Sequence, residues 1–153
     1  MEQEEAERVV RFLSSKRAFS LEITSFRVNA RKEAVMDSLS NPKHKYWYVY
    51  NSINEVIAAG GVNENERNNG GFYLDYFAVH EDLLRQGLGN LILQEAEKFV
   101  KSVNGRFILI GTGSTDEFAA ASKFYENCGY TQVSKIPNYY EIGDDRIDYY
   151  KKL

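Results

Sequence analysis

Apolar and polar positions change their period along the chain. Residues 4–15, EEAERVVRFLSS, put acids first and Val9, Val10 and Leu13 on one stripe. That predicts an amphipathic helix with carboxylates at its positive end. Residues 19–28, FSLEITSFRV, alternate and predict a short strand. Residues 30–39, ARKEAVMDSL, return to helical spacing and stop before Asn41-Pro42, because the residue before a proline is driven out of helical geometry. Residues 45–50, KYWYVY, then read as a strand by aromatic and β-branched content. NSIN is a turn, and EVIAAGGV (55–62) is the returning strand of a hairpin. NENERNNGG (63–71) is a polar loop and FYLDYFAV (72–79) a third strand.

From Leu88 the apolar positions are Leu88, Leu91, Ile92, Phe99, Val100 and Val103, with Ala96 between, and Asn90, Gln94, Glu97 and Lys101 fall opposite. This predicts a helix of about four turns ending at Asn104-Gly105. RFILIG (106–111) is continuously apolar, as a strand buried on both faces should be. Ser114 with Glu117 fits a capping box that opens a helix to about Asn127, with Gly129 as its stop. YTQVSKI (130–136) is a strand, and IGDDRIDYYKKL (142–153) closes as a turn and a last strand. The strand–helix–strand unit over 72–111 implies a right-handed crossover and a parallel pair, with antiparallel hairpins on either side. The expected class is α/β (α+β): one domain over residues 1–153, with a mixed, mostly antiparallel sheet and helices on both faces.

Composition narrows what such a fold does. With 43% apolar and 27% charged residues, the 153-residue chain has the balance of a soluble single domain. Eleven Tyr, nine Phe and one Trp suggest a lined cleft or interface in addition to a core. A net charge of −3 gives no reason to expect nucleic acid and is compatible with a cationic substrate. Cys128 is alone, so there is no internal disulfide and no cysteine metal cluster, and two histidines argue against a metal. No apolar run is long enough to cross a membrane. The start, MEQEEAERVV, is acidic, unlike a secretory signal. A cytoplasmic protein without metal, nucleic-acid or membrane partner is expected.

LLRQGLGNLIL (83–93) lies where the third strand gives way to the long helix. Glycines there let the backbone approach a ligand, and the first N–H groups of the helix carry its positive end, so a phosphate is the natural occupant. The dinucleotide fingerprint needs a third glycine where Ile92 stands, and the P-loop needs Lys-Ser/Thr where Asn90-Leu91 stand. Alone, Gly-Leu-Gly also describes a plain loop-to-helix turn. Together, FAVHEDLLRQGLGNLIL (77–93) and AASKFYENCGY (120–130) resemble the GNAT superfamily of N-acetyltransferases. The likeness covers about residues 44–153 and rests on Arg85-Gln86-Gly87-Leu88-Gly89 and on Ala121, Phe124-Tyr125-Glu126 and Gly129-Tyr130. Leu84 departs from the family's first Arg/Gln position, and His80-Glu81 replace its proline. The helix-capping Asn before the second motif is missing, with Ser114 or Thr115 to stand in.

The resemblance implies acetyl-CoA as co-substrate and no metal. Its pyrophosphate would lie on the N–H groups of Arg85, Gln86, Gly87, Leu88, Gly89 and Asn90. Phe77, Ala78 and Val79 would bond the pantetheine arm like a missing strand. The two parallel strands would splay, and an N–H near Phe77 would polarise the acetyl carbonyl. Tyr125 matches the family's general acid, and equally reads as a core tyrosine. Asp75 is a candidate base; its parity predicts that it shares a face with Phe77 and Val79. Glu64, Glu66 or a chain of waters are the alternatives, and a salt-bridged Asp75 is the plainer reading. Residues 136–145 loosely resemble the end segment of ribosomal-protein alanine N-acetyltransferases, so Tyr139 and Tyr140 either wall an acceptor site or form an ordinary sheet-edge pair. Cys128 reads as a small apolar residue. His80 reads as a cap or a solvent-facing side chain. The function implied is N-acetyl transfer to a primary amine, on a small molecule or a peptide N-terminus. The alternative is a non-catalytic acyl-CoA sensor or interaction domain of the same fold. A homodimer is left open.

Overall fold

Glu4 and Glu5 in its first turn suit the positive end of helix α1, Gln3–Leu13, and the Glu5 carboxylate accepts the Glu2 N–H at 2.8 Å. The computed structural model describes residues 1–19 and 24–153. Helix α1 buries Ala6, Val9, Phe12 and Leu13. Helix α2 spans Ser25–Asp37, starting earlier than its apolar spacing predicts. The strand expected at 19–28 is corrected in part. Residues 20–23 lie outside the described residues, and Ser25–Val28 are helical, because Thr24 Oγ1 caps the helix by accepting the Arg27 N–H at 3.3 Å.

The sheet has six strands among the described residues: β1 (His44–Tyr50), β2 (Val56–Glu64), β3 (Gly71–Val79), β4 (Phe107–Thr112), β5 (Thr131–Glu141) and β6 (Asp144–Lys152). Helix α3 (Leu88–Ser102) links β3 to β4, and α4 (Ala119–Asn127) links β4 to β5. The order is β1-β2-β3-β4-β6-β5, with β3–β4 as the single parallel pair. The mixed, mostly antiparallel sheet with helices on both faces is therefore as the sequence predicts. Helices α1 and α2 and the residues packed on them bury one core: Val9, Leu13, Val35, Tyr46, Ala59 and Ala78. Helices α3 and α4 bury the other: Val62, Phe72, Leu93, Val100, Ile108 and Tyr149. The capping box expected from Ser114 and Glu117 does not form. Ser114 is tied to β6, donating its N–H to Asp144 Oδ1 and accepting the Asp145 N–H, both at 2.8 Å. A 3-10 turn at Asp116–Phe118 leads into α4 instead.

Two irregularities shape the middle of the sheet. The β3–β4 ladder pairs only Gly71–Phe107, Phe72–Ile108 and Tyr73–Leu109, although β3 runs on to Val79 and β4 to Thr112. Beyond that third pair the two strands diverge. In β3 the register with β2 slips between Asp75–Gly61 and Ala78–Ala59, so Tyr76 and Phe77 together face Gly60. This is a β-bulge, and Tyr76 sits in it with φ 22°.

Candidate active site

Leu88 is the first residue of α3, and the loop that delivers it is built around Gly87, left-handed at φ 83°, with Arg85 also left-handed at φ 64°. A side chain at Gly87 would meet nothing within 4 Å, so the glycine serves the backbone conformation, not a crowded space. Gly89 is different: a Cβ there would stand 3.3 Å from Phe124, 3.4 Å from Phe77 and 3.5 Å from Val79, which is how closely α3 approaches β3 and α4. The first bond closing the helix runs from the Leu91 N–H to the Gly87 carbonyl at 3.0 Å. Among the described residues, no acceptor bonds the amides of Arg85, Gln86, Gly87, Leu88, Gly89 or Asn90. They form a row of donors at a positive helix end, with Leu88 and Gly89 half-buried and the other four residues exposed. His80 caps the preceding turn, its Nδ1 accepting the Asp82 N–H at 3.2 Å.

The wedge between β3 and β4 opens beside this loop. Phe77 and Val79 point to the α3–α4 side, where the Phe77 ring stacks on Phe124 with centroids 5.8 Å apart. Tyr125 lies on the same side, 6% exposed, its ring 6.4 Å from Phe77 and 6.0 Å from Tyr149. Burial, with a smaller effect of the nearby Cys128 charge, raises the pKa of the Tyr125 phenol well above that of free tyrosine. The hydroxyl stays protonated across the neutral range. Cys128 is half-buried, and burial followed by the Glu97 charge pushes its thiol up, away from a nucleophilic thiolate.

Asp75 does not share the face of Phe77 and Val79, and that expectation is corrected. The bulge adds a residue between them and breaks the two-residue alternation. Asp75 and Tyr76 both turn to the α2 side, into a cleft of about 380 Å³ lined also by Glu33, Asp37, His44 and Tyr73. Asp75 Oδ2 accepts the Tyr46 hydroxyl at 2.7 Å and the His44 Nε2 at 2.9 Å. His44 Nδ1 meets Asp37 Oδ2 at 2.8 Å. A carboxyl group stands against each ring nitrogen, an arrangement that favours the doubly protonated ring, in which both nitrogens donate. Burial alone would lower its pKa; the bonds to Asp75 and Asp37 outweigh burial and hold it above the usual histidine value. The alternative acids are differently occupied. Glu64 pairs with Lys43 at 2.7 Å and accepts the Gly70 N–H at 2.9 Å, and Glu66 is exposed in the loop.

Tyr139 and Tyr140 stand on the outer strand β5, about half exposed, packed edge to face with centroids 5.0 Å apart. The Arg146 guanidinium lies 5.1 Å from the Tyr139 ring and donates from Nε to Asp148 Oδ1 at 2.8 Å. Neither tyrosine lines the Asp75 cleft. The structure thus gathers Phe77, Val79, Gly89 and Tyr125 on one side of the wedge and Asp75 on the other, with the tyrosine pair apart. Sequence reasoning missed His44, Tyr46 and Asp37. Their signal was faint: His44 and Tyr46 share parity on one strand, two residues apart.

The sequence model of the acetyltransferase (GNAT) family matches residues 13–130. The chain belongs to this family. A GNAT acetyltransferase from Staphylococcus aureus Mu50 is 20% identical, with a TM-score of 0.79 over 100% of this chain and 96% of that one. An aminoglycoside 6′-N-acetyltransferase crystallised with coenzyme A is 18% identical, with a TM-score of 0.76 over 99% and 92%. The ribosomal-protein-S18-alanine N-acetyltransferase of Escherichia coli is 16% identical, with a TM-score of 0.75 over 100% and 90%. A comparison with curated proteins found no match. These structural likenesses carry the GNAT fold. Among the described residues, no helix is long and apolar enough to cross a membrane, and no cluster of His, Cys, Asp and Glu could hold a metal ion.

Proposed function

We propose that this GNAT protein moves an acetyl group from acetyl-CoA to a primary amine by direct attack. The observation that supports this most is the early end of the β3–β4 ladder at Tyr73–Leu109, which leaves a wedge beside the open amides of 85–90. Acetyl-CoA would supply the thioester. In this reading the N–H groups from Arg85 to Asn90 hold the diphosphate. The backbone of Phe77, Ala78 and Val79 takes the pantetheine arm as a strand partner. An N–H near Phe77, beside the bulge, would meet the acyl oxygen, where a fixed donor stabilises developing negative charge. Tyr125 holds a proton on its Oη and gives it to the departing thiolate. Asp75 receives the proton that the ammonium must lose before attack, its carboxylate fixed through Oδ2 by Tyr46 and His44. The two named neighbours are N-acetyltransferases, which agrees with a nitrogen acceptor.

The test is Tyr125→Phe in a thiol-release assay over an amine panel. Turnover should fall by about 10²-fold or more, the usual contribution of a positioned acid, with coenzyme affinity unchanged. Equal turnover would remove Tyr125 from the reaction. Coenzyme binding without thiol release for any amine would favour a sensor domain of the same fold.

A further inference from the structure

Arg31 is an anomalous charge among the described residues. It sits on α2, is 5% exposed, and forms no ion pair or hydrogen bond among the described residues; its Nε is buried without a partner. An arginine buried this deeply is rare unless a carboxylate or phosphate accompanies it, since an uncompensated interior charge is costly. Its guanidinium rests on rings instead, 4.6 Å from the centroid of Phe19 and 5.8 Å from that of Tyr76. Arg27, one turn earlier, places a second positive charge near enough to oppose its ionisation. Tyr76 is the bulge residue beside Asp75, and its ring lines the same cleft. Ala34, one turn after Arg31 on α2, lines it as well. One end of this region therefore carries the carboxylates of Asp75 and Asp37. The other, across the Tyr76 ring, carries the Arg31 guanidinium, whose Nε is buried and which has no counter-ion among the described residues.

Resting on the reading of the chain as an amine acetyltransferase, we infer that its acceptor is an amino carboxylate: Arg31 takes the carboxylate while Asp75 faces the ammonium. The planar guanidinium offers the forked donor pair that a carboxylate matches. Stacked on Phe19 and Tyr76, it is already oriented, so the anion meets little reorganisation. Arg31 is a binding residue in this scheme and takes no part in the proton transfers.

The experiment compares matched acceptors, ω-amino acids from glycine to 6-aminohexanoate, each against its own carboxamide. Two readouts are taken, thiol release and the rise in Tm of the acetyl-CoA-loaded protein. The wild type should favour the best acid over its amide by at least about tenfold in kcat/KM, because a site built for a polar group rejects the analogue lacking it. Arg31→Gln should bring that ratio to about one by lowering kcat/KM for the acid far more than for the amide, and Arg31→Lys should restore part of it. Coenzyme affinity should be the same in all three proteins. A lower affinity in Arg31→Gln would assign the guanidinium to the coenzyme and overturn the inference. Without ligand, Arg31→Gln should melt at or above the wild-type temperature, because it relieves an unpaired buried charge; a clearly lower Tm would make Arg31 structural and overturn it too. Thiol release without preference for acids would overturn the carboxylate site and leave acetyl transfer standing. An acid-dependent, Arg31-dependent rise in Tm without thiol release would do the reverse.

Discussion

His44 shows how single residues decide the charge of the Asp75 cleft. Its ring is buried between Asp75 and Asp37, and its pKa lies above the ordinary 6.5. The stabilising contribution of such a group is complete below 6.5 and is lost as pH rises through the folded value. Asp37 has the opposite sign: its bond to His44, then that to Asn41, holds it below 3.8, so its contribution is present above 3.8 and disappears in acid. The wild type should therefore exceed His44→Gln in stability most between those limits. The gap should shrink on the alkaline side. Urea midpoints for both proteins at about pH 5.5 and about pH 9 measure it; a gap that widens toward pH 9 would contradict the imidazolium. None of this was legible in the sequence, because a lone histidine at the head of a strand has no periodic partner to mark it. Arg31 was hidden for a related reason. Its neighbours in α2 are weakly amphipathic, and nothing in ARKEAVMDSL distinguishes a buried arginine from a solvated one.

At the scale of elements, period and glycine spacing carried the reading. The strands at 45–50, 55–62 and 72–79, the α3 helix and the 106–111 strand all stand within a few residues of where alternation and helical spacing put them. The bulge in β3 escaped, since a parity count assumes that no residue is inserted. Its trace lies on the neighbouring strand, in the pair Gly60-Gly61. A Cβ on Gly60 would lie 2.5 Å from the Phe77 ring, so only glycine lets Phe77 settle over β2. Gly60→Ala should accordingly destabilise the protein by about 1–3 kcal/mol, the usual range for overpacking. Phe77→Ala introduced beside it should recover part of that loss. Denaturant midpoints of the two single variants and the double variant give the coupling; strict additivity would separate Gly60 from the bulge.

The whole molecule is two three-stranded halves, β1-β2-β3 and β4-β6-β5, joined by three parallel pairs and by the helices packed across them. The sequence made the parallel crossover and the flanking hairpins legible. The splay and the role proposed for the 85–90 loop came through the family resemblance. The walls of the Asp75 cleft stayed out of reach because they depend on which face each half leaves open. If acetyl-CoA fills the wedge as proposed, those amides of Leu74–Val79 and Ile110–Thr112 that point into the gap, away from β2 and β6, should exchange readily in the ligand-free protein and become protected when it is added. Hydrogen exchange followed by mass spectrometry measures this; equal exchange in both states would place the ligand elsewhere. The added stability should reach roughly 2.7 kcal/mol at a ligand concentration one hundred times its dissociation constant.

The three-rung seam has a consequence outside catalysis. A sheet laced this lightly at its centre behaves like a book with a short spine, and a guest strand slipped between the pages would lock the covers together. If the proposed acyl donor is that guest, resistance to proteases should rise with its concentration, and the empty form should be cut first.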